Sequence, residues 1–150
     1  IIKFISEIRS LRYILNIPHN QLIYVEYKDR NSKFDGYINN NLNIIKKLSN
    51  VDRIRVTKNV HKKSAQMIID DRTYYIPLEG VIDIDTELER LKKELSKIND
   101  EVLRIDEKLS NEGFIKNAPE QVIKEQNDKK NQLELTRNII TVAVDRLIDV

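Results

Sequence analysis

Apolar residues at Ile84, Leu88, Leu91, Leu95, Ile98, Val102, Ile105 and Leu109 follow one another at alternating intervals of four and three. That spacing puts all eight on one seam of a helix, and a helix with such a seam needs a partner. The run stops in the turn segment Lys108-Leu109-Ser110-Asn111-Glu112-Gly113-Phe114. Gly113 is read as the breaker, and Pro119, whose missing N–H costs nothing in a first helical turn, as the start of a second helix. The expected partner is therefore the following segment, folded back antiparallel. Its stripe is less regular: Val122, Gln126, Lys129, Thr136 and Ala143 fall in phase with Leu133, Ile140 and Leu147. Folding back sets Leu147 beside Leu88, Ile140 beside Leu95 and Leu133 beside Val102, with the looser, polar end at the tip.

Upstream, the period changes repeatedly. Residues 1–17 place Ile1, Phe4, Ile5, Ile8, Leu11 and Leu15 on one helical face, ended by Asn16-Ile17-Pro18. Residues 22–27 alternate as a half-buried strand through Ile23, Val25 and Tyr27, closed by Asn31-Ser32. A helix is expected from Phe34 to Leu48 and a strand over 52–58 with Ile54 and Val56 inward; a strand–helix–strand unit makes the two strands parallel if they are neighbours. Ala65–Ile69 and Thr73–Leu78 flank Asp70-Asp71-Arg72 as a β-hairpin. Glu79-Gly80 marks the boundary. The expected fold class is α+β: a small mixed unit over 1–80, then a long antiparallel two-helix coiled coil over 81–150.

Composition narrows the function. Residues 1–80 carry 14 Lys/Arg against 8 Asp/Glu, and residues 81–150 carry 12 against 16, so a net charge of +2 hides a basic half and an acidic one. A basic half points weakly to nucleic acid. With no cysteine there are no disulfides and no thiolate metal sites. No apolar run nears the length of a membrane span, so no membrane partner is expected. Beginning at Ile1 in mid-helix, the chain reads as a piece of a longer protein. No catalytic set emerges: His19 and His61 sit in polar connections and read as solvated, and Asp70-Asp71 read as turn formers rather than a cation site. Of Tyr74 and Tyr75, one is expected to face the core.

One charge pattern is more specific. Arg90, Lys93, Lys97, Arg104 and Lys108 fall within roughly 60° of one another around the helix axis, away from the apolar seam. A helix of about 27 residues is about 40 Å long, so such a stripe can follow a nucleic-acid backbone past several phosphates. Glu94 and Glu101 border it, and a solvated face with i,i+4 pairs is the competing reading. Arg9 and Arg12, three apart on the first helix, are read as exposed and suited to phosphate.

Several stretches resemble the C-terminal end of the valyl-tRNA synthetase family. They are Leu78-Glu79-Gly80-Val81-Ile82-Asp83-Ile84-Asp85, then Glu87-Leu88-Glu89-Arg90-Leu91 with Lys93-Glu94-Leu95, the turn segment 108–114, and Ala118-Pro119-Glu120-Gln121-Val122-Ile123. Ile8-Arg9-Ser10-Leu11-Arg12 with Asn16-Ile17-Pro18 is similar to the late helix of that family's anticodon-binding region. The resemblance implies a fragment of a class I ligase that joins valine to tRNA(Val) with ATP and Mg. In that reading residues 1–80 end the anticodon-binding region and 81–150 are a coiled-coil arm supporting the outer corner of the tRNA. Its partners are tRNA(Val) and the catalytic, editing and anticodon-binding parts of the same chain, in a cytoplasmic monomer. The family's His-Ile-Gly-His and Lys-Met-Ser-Lys-Ser type signatures are absent, so no catalytic residue and no cofactor is expected in the fragment itself. The expected tRNA contacts are Arg90, Lys93, Lys97, Arg104, Lys108, Arg9 and Arg12. The alternative is a structural coiled-coil module for protein association without RNA binding.

Overall fold

A computed structural model describes residues 1–28 and 32–148, without the side chains of Ser32 and Phe34. Asn31 and the Phe34 side chain thus lie outside the described residues. The chain divides into two compact units, residues 1–88 with 145–150, and residues 89–144.

In the first unit, α1 (Ile2–Ile14) buries Phe4, Ile5, Ile8 and Leu11. It ends where Asn16 adopts φ 52°, with the Ile17 N–H donating to the Arg12 carbonyl and the Asn16 N–H to that of Tyr13. This left-handed cap satisfies carbonyls that the helix leaves open, and asparagine tolerates the conformation. The expected helix over 34–48 is two helices, α2 (Ser32–Asn40) and α3 (Leu42–Ser49). Asn41 separates them, its side-chain amide donating to the Tyr37 carbonyl at 2.8 Å; a short amide competing for backbone partners disfavours helix at that position.

The strands are β1 (Ile23–Tyr27), β2 (Val51–Val56), β3 (Ser64–Ile69) and β4 (Arg72–Pro77), in the order β2-β1-β4-β3. β1 and β2 run parallel, as the crossover unit requires. β3 and β4 form the expected hairpin, turned by Asp70 and Asp71 at φ 49° and 63°. Two left-handed residues make the turn whose twist matches that of the strands. Tyr74 is fully buried, its ring edge-on to Phe4 at 5.0 Å, and burial pushes its hydroxyl up to about 12; Tyr75 is half-buried.

Period-two reasoning identifies Ile23, Val25 and Tyr27 as buried and misses Glu26, which is 0% exposed. Its Oε1 accepts from Arg55 Nε at 2.9 Å and Nη2 at 2.7 Å, and its Oε2 lies 2.8 Å from His61 Nδ1. His61 is therefore not a merely solvated loop histidine. Arg55 also lies over the Tyr24 ring. Burial raises the Glu26 carboxyl pKa, but hydrogen bonds and charge from His61 and Arg55 outweigh it, so the net displacement is downward.

Gly80, at φ 76°, turns the chain below the buried Leu78, and the Asp83 carboxylate accepts from the Thr86 N–H to open α4 (Ile84–Ser110). The break after α4 is set by Asn111, not Gly113. Asn111 takes extended backbone and its side chain accepts from the Phe114 N–H at 3.0 Å, capping a short helix α5 (Glu112–Asn117) that stands where a turn is expected. Gly113 lies inside α5, where a Cβ meets the Asn111 side-chain oxygen at 3.2 Å. Ala118 is extended, as a residue before proline prefers, and the Pro119 carbonyl accepts the first N–H groups of α6 (Glu120–Ile148).

Candidate nucleic-acid interface

The apolar seam decides which face of α4 is free. Leu91, Ile98, Val102 and Ile105 are buried and Leu95 and Leu109 half-buried, whereas Leu103, off the seam, is 58% exposed. On α6, Ile140 and Ala143 are buried, together with Val144, which lies outside the stripe that the sequence pattern defines. Contacts across the two helices fix their direction and register: Arg137 reaches Asn99, Lys130 reaches Asp106 at 2.5 Å, and Lys129 pairs with Glu101. From the Asn99–Arg137 pair to the Asp106–Lys130 pair residue numbers rise on α4 and fall on α6, the mark of an antiparallel pair. The offsets of those two pairs agree with Ile140 beside Leu95 and Leu133 beside Val102.

Ion pairs engage three of the carboxylates of α4. Glu94 is held by Arg90 at 3.0 Å within the helix, and Glu101 and Asp106 by lysines of α6. The Asp106 hydrogen bond raises the pKa of the Lys130 ammonium. Lys129 and Lys130 are thereby engaged in holding the hairpin, while Lys93, Lys97, Arg104 and Lys108 are without an ion pair among the described residues, on the side of α4 away from the seam. Arg90 is half-buried and engaged with Glu94. Four of the five stripe residues thus lie along one face of α4 without an ion pair among the described residues.

The two arginines of α1 separate. Arg9 is exposed, its Nε donating to the Leu48 carbonyl at 2.8 Å. Arg12, expected on the exposed side, is 7% exposed: its Nη2 donates to the carbonyls of Pro18 at 2.9 Å and His19 at 3.3 Å, and to that of Gln21. The loop that ends α1 folds back over Arg12 and draws the guanidinium in to satisfy its carbonyls, which helical periodicity alone does not reveal. Desolvation lowers the Arg12 pKa.

No group of three or more His, Cys, Asp or Glu side chains among the described residues could hold a metal ion, and no described helix is long and apolar enough to cross a membrane.

Comparison with known proteins bears on this interface. Residues 83–148 match the family model for the valyl tRNA synthetase tRNA binding arm. The chain is 32% identical to a valine–tRNA ligase of Listeria innocua over 143 residues, covering 93% of the chain and 16% of that protein. It is 30% identical to the Bartonella quintana enzyme of that name over 148 residues, and 32% identical to the Brucella suis one over 149, each alignment covering 99% of the chain and 16% of the relative. The chain thus spans 16% of the length of these curated relatives.

Proposed function

We propose, from the premise that residues 83–148 belong to the family of valyl-tRNA synthetase tRNA-binding arms, that this chain supplies affinity and position for tRNA(Val), and no bond-making chemistry, to a valine–tRNA ligase. The parent enzyme joins valine to tRNA(Val) with ATP and Mg in the cytoplasm, acting as a monomer through catalytic, editing and anticodon-binding parts outside this chain. Residues 81–150 form the functional arm, which supports the outer corner of the tRNA, and residues 1–80 end the anticodon-binding region. One observation carries the reading: the carboxylates Glu94, Glu101 and Asp106 are tied down, leaving Lys93, Lys97, Arg104 and Lys108 free on one helical face. Arg90 at the near end and Arg9 on α1 supplement them.

Replacing Lys93, Lys97, Arg104 and Lys108 together by Gln in the full-length enzyme tests this. Removing one phosphate contact flattens the dependence of log affinity on log salt by about 0.7–0.9, so the four-fold variant has a slope shallower by roughly 3. KM for tRNA rises while valine-dependent pyrophosphate exchange is unchanged, because a contact made equally in ground and transition states lowers KM without raising kcat. An unaltered salt slope with intact helix content shows the stripe to be only a solvated face. The rival, a coiled-coil module for protein association, predicts a stable dimer of the chain and no salt-dependent tRNA binding.

A further inference from the structure

A cleft of about 440 Å³ opens where the C-terminal ends of α1 and α3 meet the loop after α1, and Arg9, Arg12, Tyr13, His19, Lys47 and Asn50 are among its walls. Its size falls within the ~300–1,000 Å³ typical of small-ligand sites. No carboxylate lines it. Arg12 makes it unusual, being a guanidinium 7% exposed with no carboxylate partner and with Nη1 sealed from solvent and unbonded. Buried charges are normally paired, because an isolated one forfeits hydration that carbonyl dipoles only partly replace. Here the protein supplies three carbonyls and no anion.

Helix C-termini ordinarily present negative partial charge and repel anions. In this cleft that charge is spent at the end of α1 and partly at that of α3. The Leu11, Arg12 and Tyr13 carbonyls accept from Leu15, Ile17 and Asn16, and the Leu48 carbonyl is held by Arg9, whose Nη1 and Nη2 remain available. Lys47 is exposed on the same rim. Tyr13 is 86% exposed and lines the same cleft. An anion site alone does not call for an exposed aromatic, whereas a nucleotide uses both a cation for its phosphate and a ring for its base.

We infer that the cleft of α1 and α3 is a second RNA site, taking one unpaired nucleotide of a bound strand, with its phosphate drawn to Arg9, Lys47 and the field of Arg12 and its base stacked on Tyr13. This rests on the tRNA reading above but uses residues outside the arm. The test is titration of the ¹⁵N-labelled 150-residue chain with a tRNA(Val) transcript, a uridylate trinucleotide and inorganic phosphate. Tyr13→Ala and Lys47→Gln are the variants; both side chains are exposed, so the fold is retained and is checked by circular dichroism. Both RNAs shift the amides of Tyr13, Lys47 and Asn50. Tyr13→Ala weakens trinucleotide binding roughly 5- to 150-fold, the loss of one base stack. Lys47→Gln flattens the salt slope by about 0.7–0.9. If tRNA shifts only α4 amides and both variants bind like the parent chain, the cleft proposal falls and the arm stands. If the trinucleotide shifts the cleft while the four-fold arm variant binds tRNA with unchanged salt slope, the arm reading falls and the cleft stands. Phosphate alone reproducing the cleft shifts, with Tyr13→Ala without effect on the trinucleotide, overturns the nucleotide assignment in favour of a bare anion site.

Discussion

Glu26→Gln is the sharpest test of the electrostatics of the sheet. The carboxylate is completely buried and takes three charge-assisted contacts, two from Arg55 and one from His61. A hydrogen bond to a charged group contributes about 1.5–3 kcal/mol. The Arg55 and His61 side chains are 42% and 50% exposed, so solvent screens the cationic side and the three contacts do not sum. Glutamine keeps the shape but turns an N–H₂ toward a cation, and the net cost at neutral pH is about 2–3 kcal/mol. Because the folded carboxyl titrates below its unfolded value, its contribution is complete above the unfolded pKa of about 4.3 and disappears as pH falls through the lower folded value. The gap between parent and variant therefore persists from neutral pH to about 5 and narrows below about 4. The six tyrosines all lie in residues 1–88 and the chain has no tryptophan, so tyrosine emission reports on that unit alone. In urea, with a slope of about 1–3 kcal/mol per molar, the midpoint moves down by about 0.7–3 M. Equal midpoints at pH 7, or a difference that survives undiminished at pH 3, would refute this account of Glu26.

In the arm, Ile98→Ala costs about 2–4 kcal/mol and Leu103→Ala under about 0.5, measured by thermal unfolding followed at 222 nm; equal effects would mean the seam is misplaced. Asn111→Ala removes the cap of α5 and costs about 0.5–2 kcal/mol, seen first as faster amide exchange from Phe114 to Asn117 while the exchange of α4 is unchanged.

Much of this fold is legible in the sequence because its strongest signals are periodic. The eight-residue seam of α4 specifies a buried face without any help from tertiary structure, and the register that follows from it agrees with the pairs Lys130–Asp106 and Arg137–Asn99. The alternation in residues 22–27 and the Asp70-Asp71 turn likewise act locally. What escapes such reading depends on partners distant in sequence. Glu26 looks like an outward polar residue of a half-buried strand until Arg55 and His61 arrive from 29 and 35 residues away. Arg12 looks exposed on a helical wheel, and only the return of residues 18–21 encloses it. The cap at Asn111 is masked by Gly113, the more familiar helix breaker two positions later. For the interface, the sequence places the five cations on one face but cannot tell which neighbouring carboxylates are already engaged; the cross-helix pairs supply that.

The strand order β2-β1-β4-β3 has a consequence for the chain while it is being made. β1 and β2 are available to pair once residue 56 has emerged, but β4, which covers the other edge of β1, arrives only with residues 72–77. At synthesis rates of about 5–20 residues per second, the interval is roughly one to four seconds. Through it β1, an inner strand of the finished sheet, is a border strand, with Val25 and Tyr27 beside an unoccupied ladder that another nascent copy could fill. Crowding of ribosomes on one message is then the condition under which this unit is most exposed to mispairing, and the pairing of β4 onto β1, with the β3–β4 hairpin closing fast and locally, is what ends the exposure.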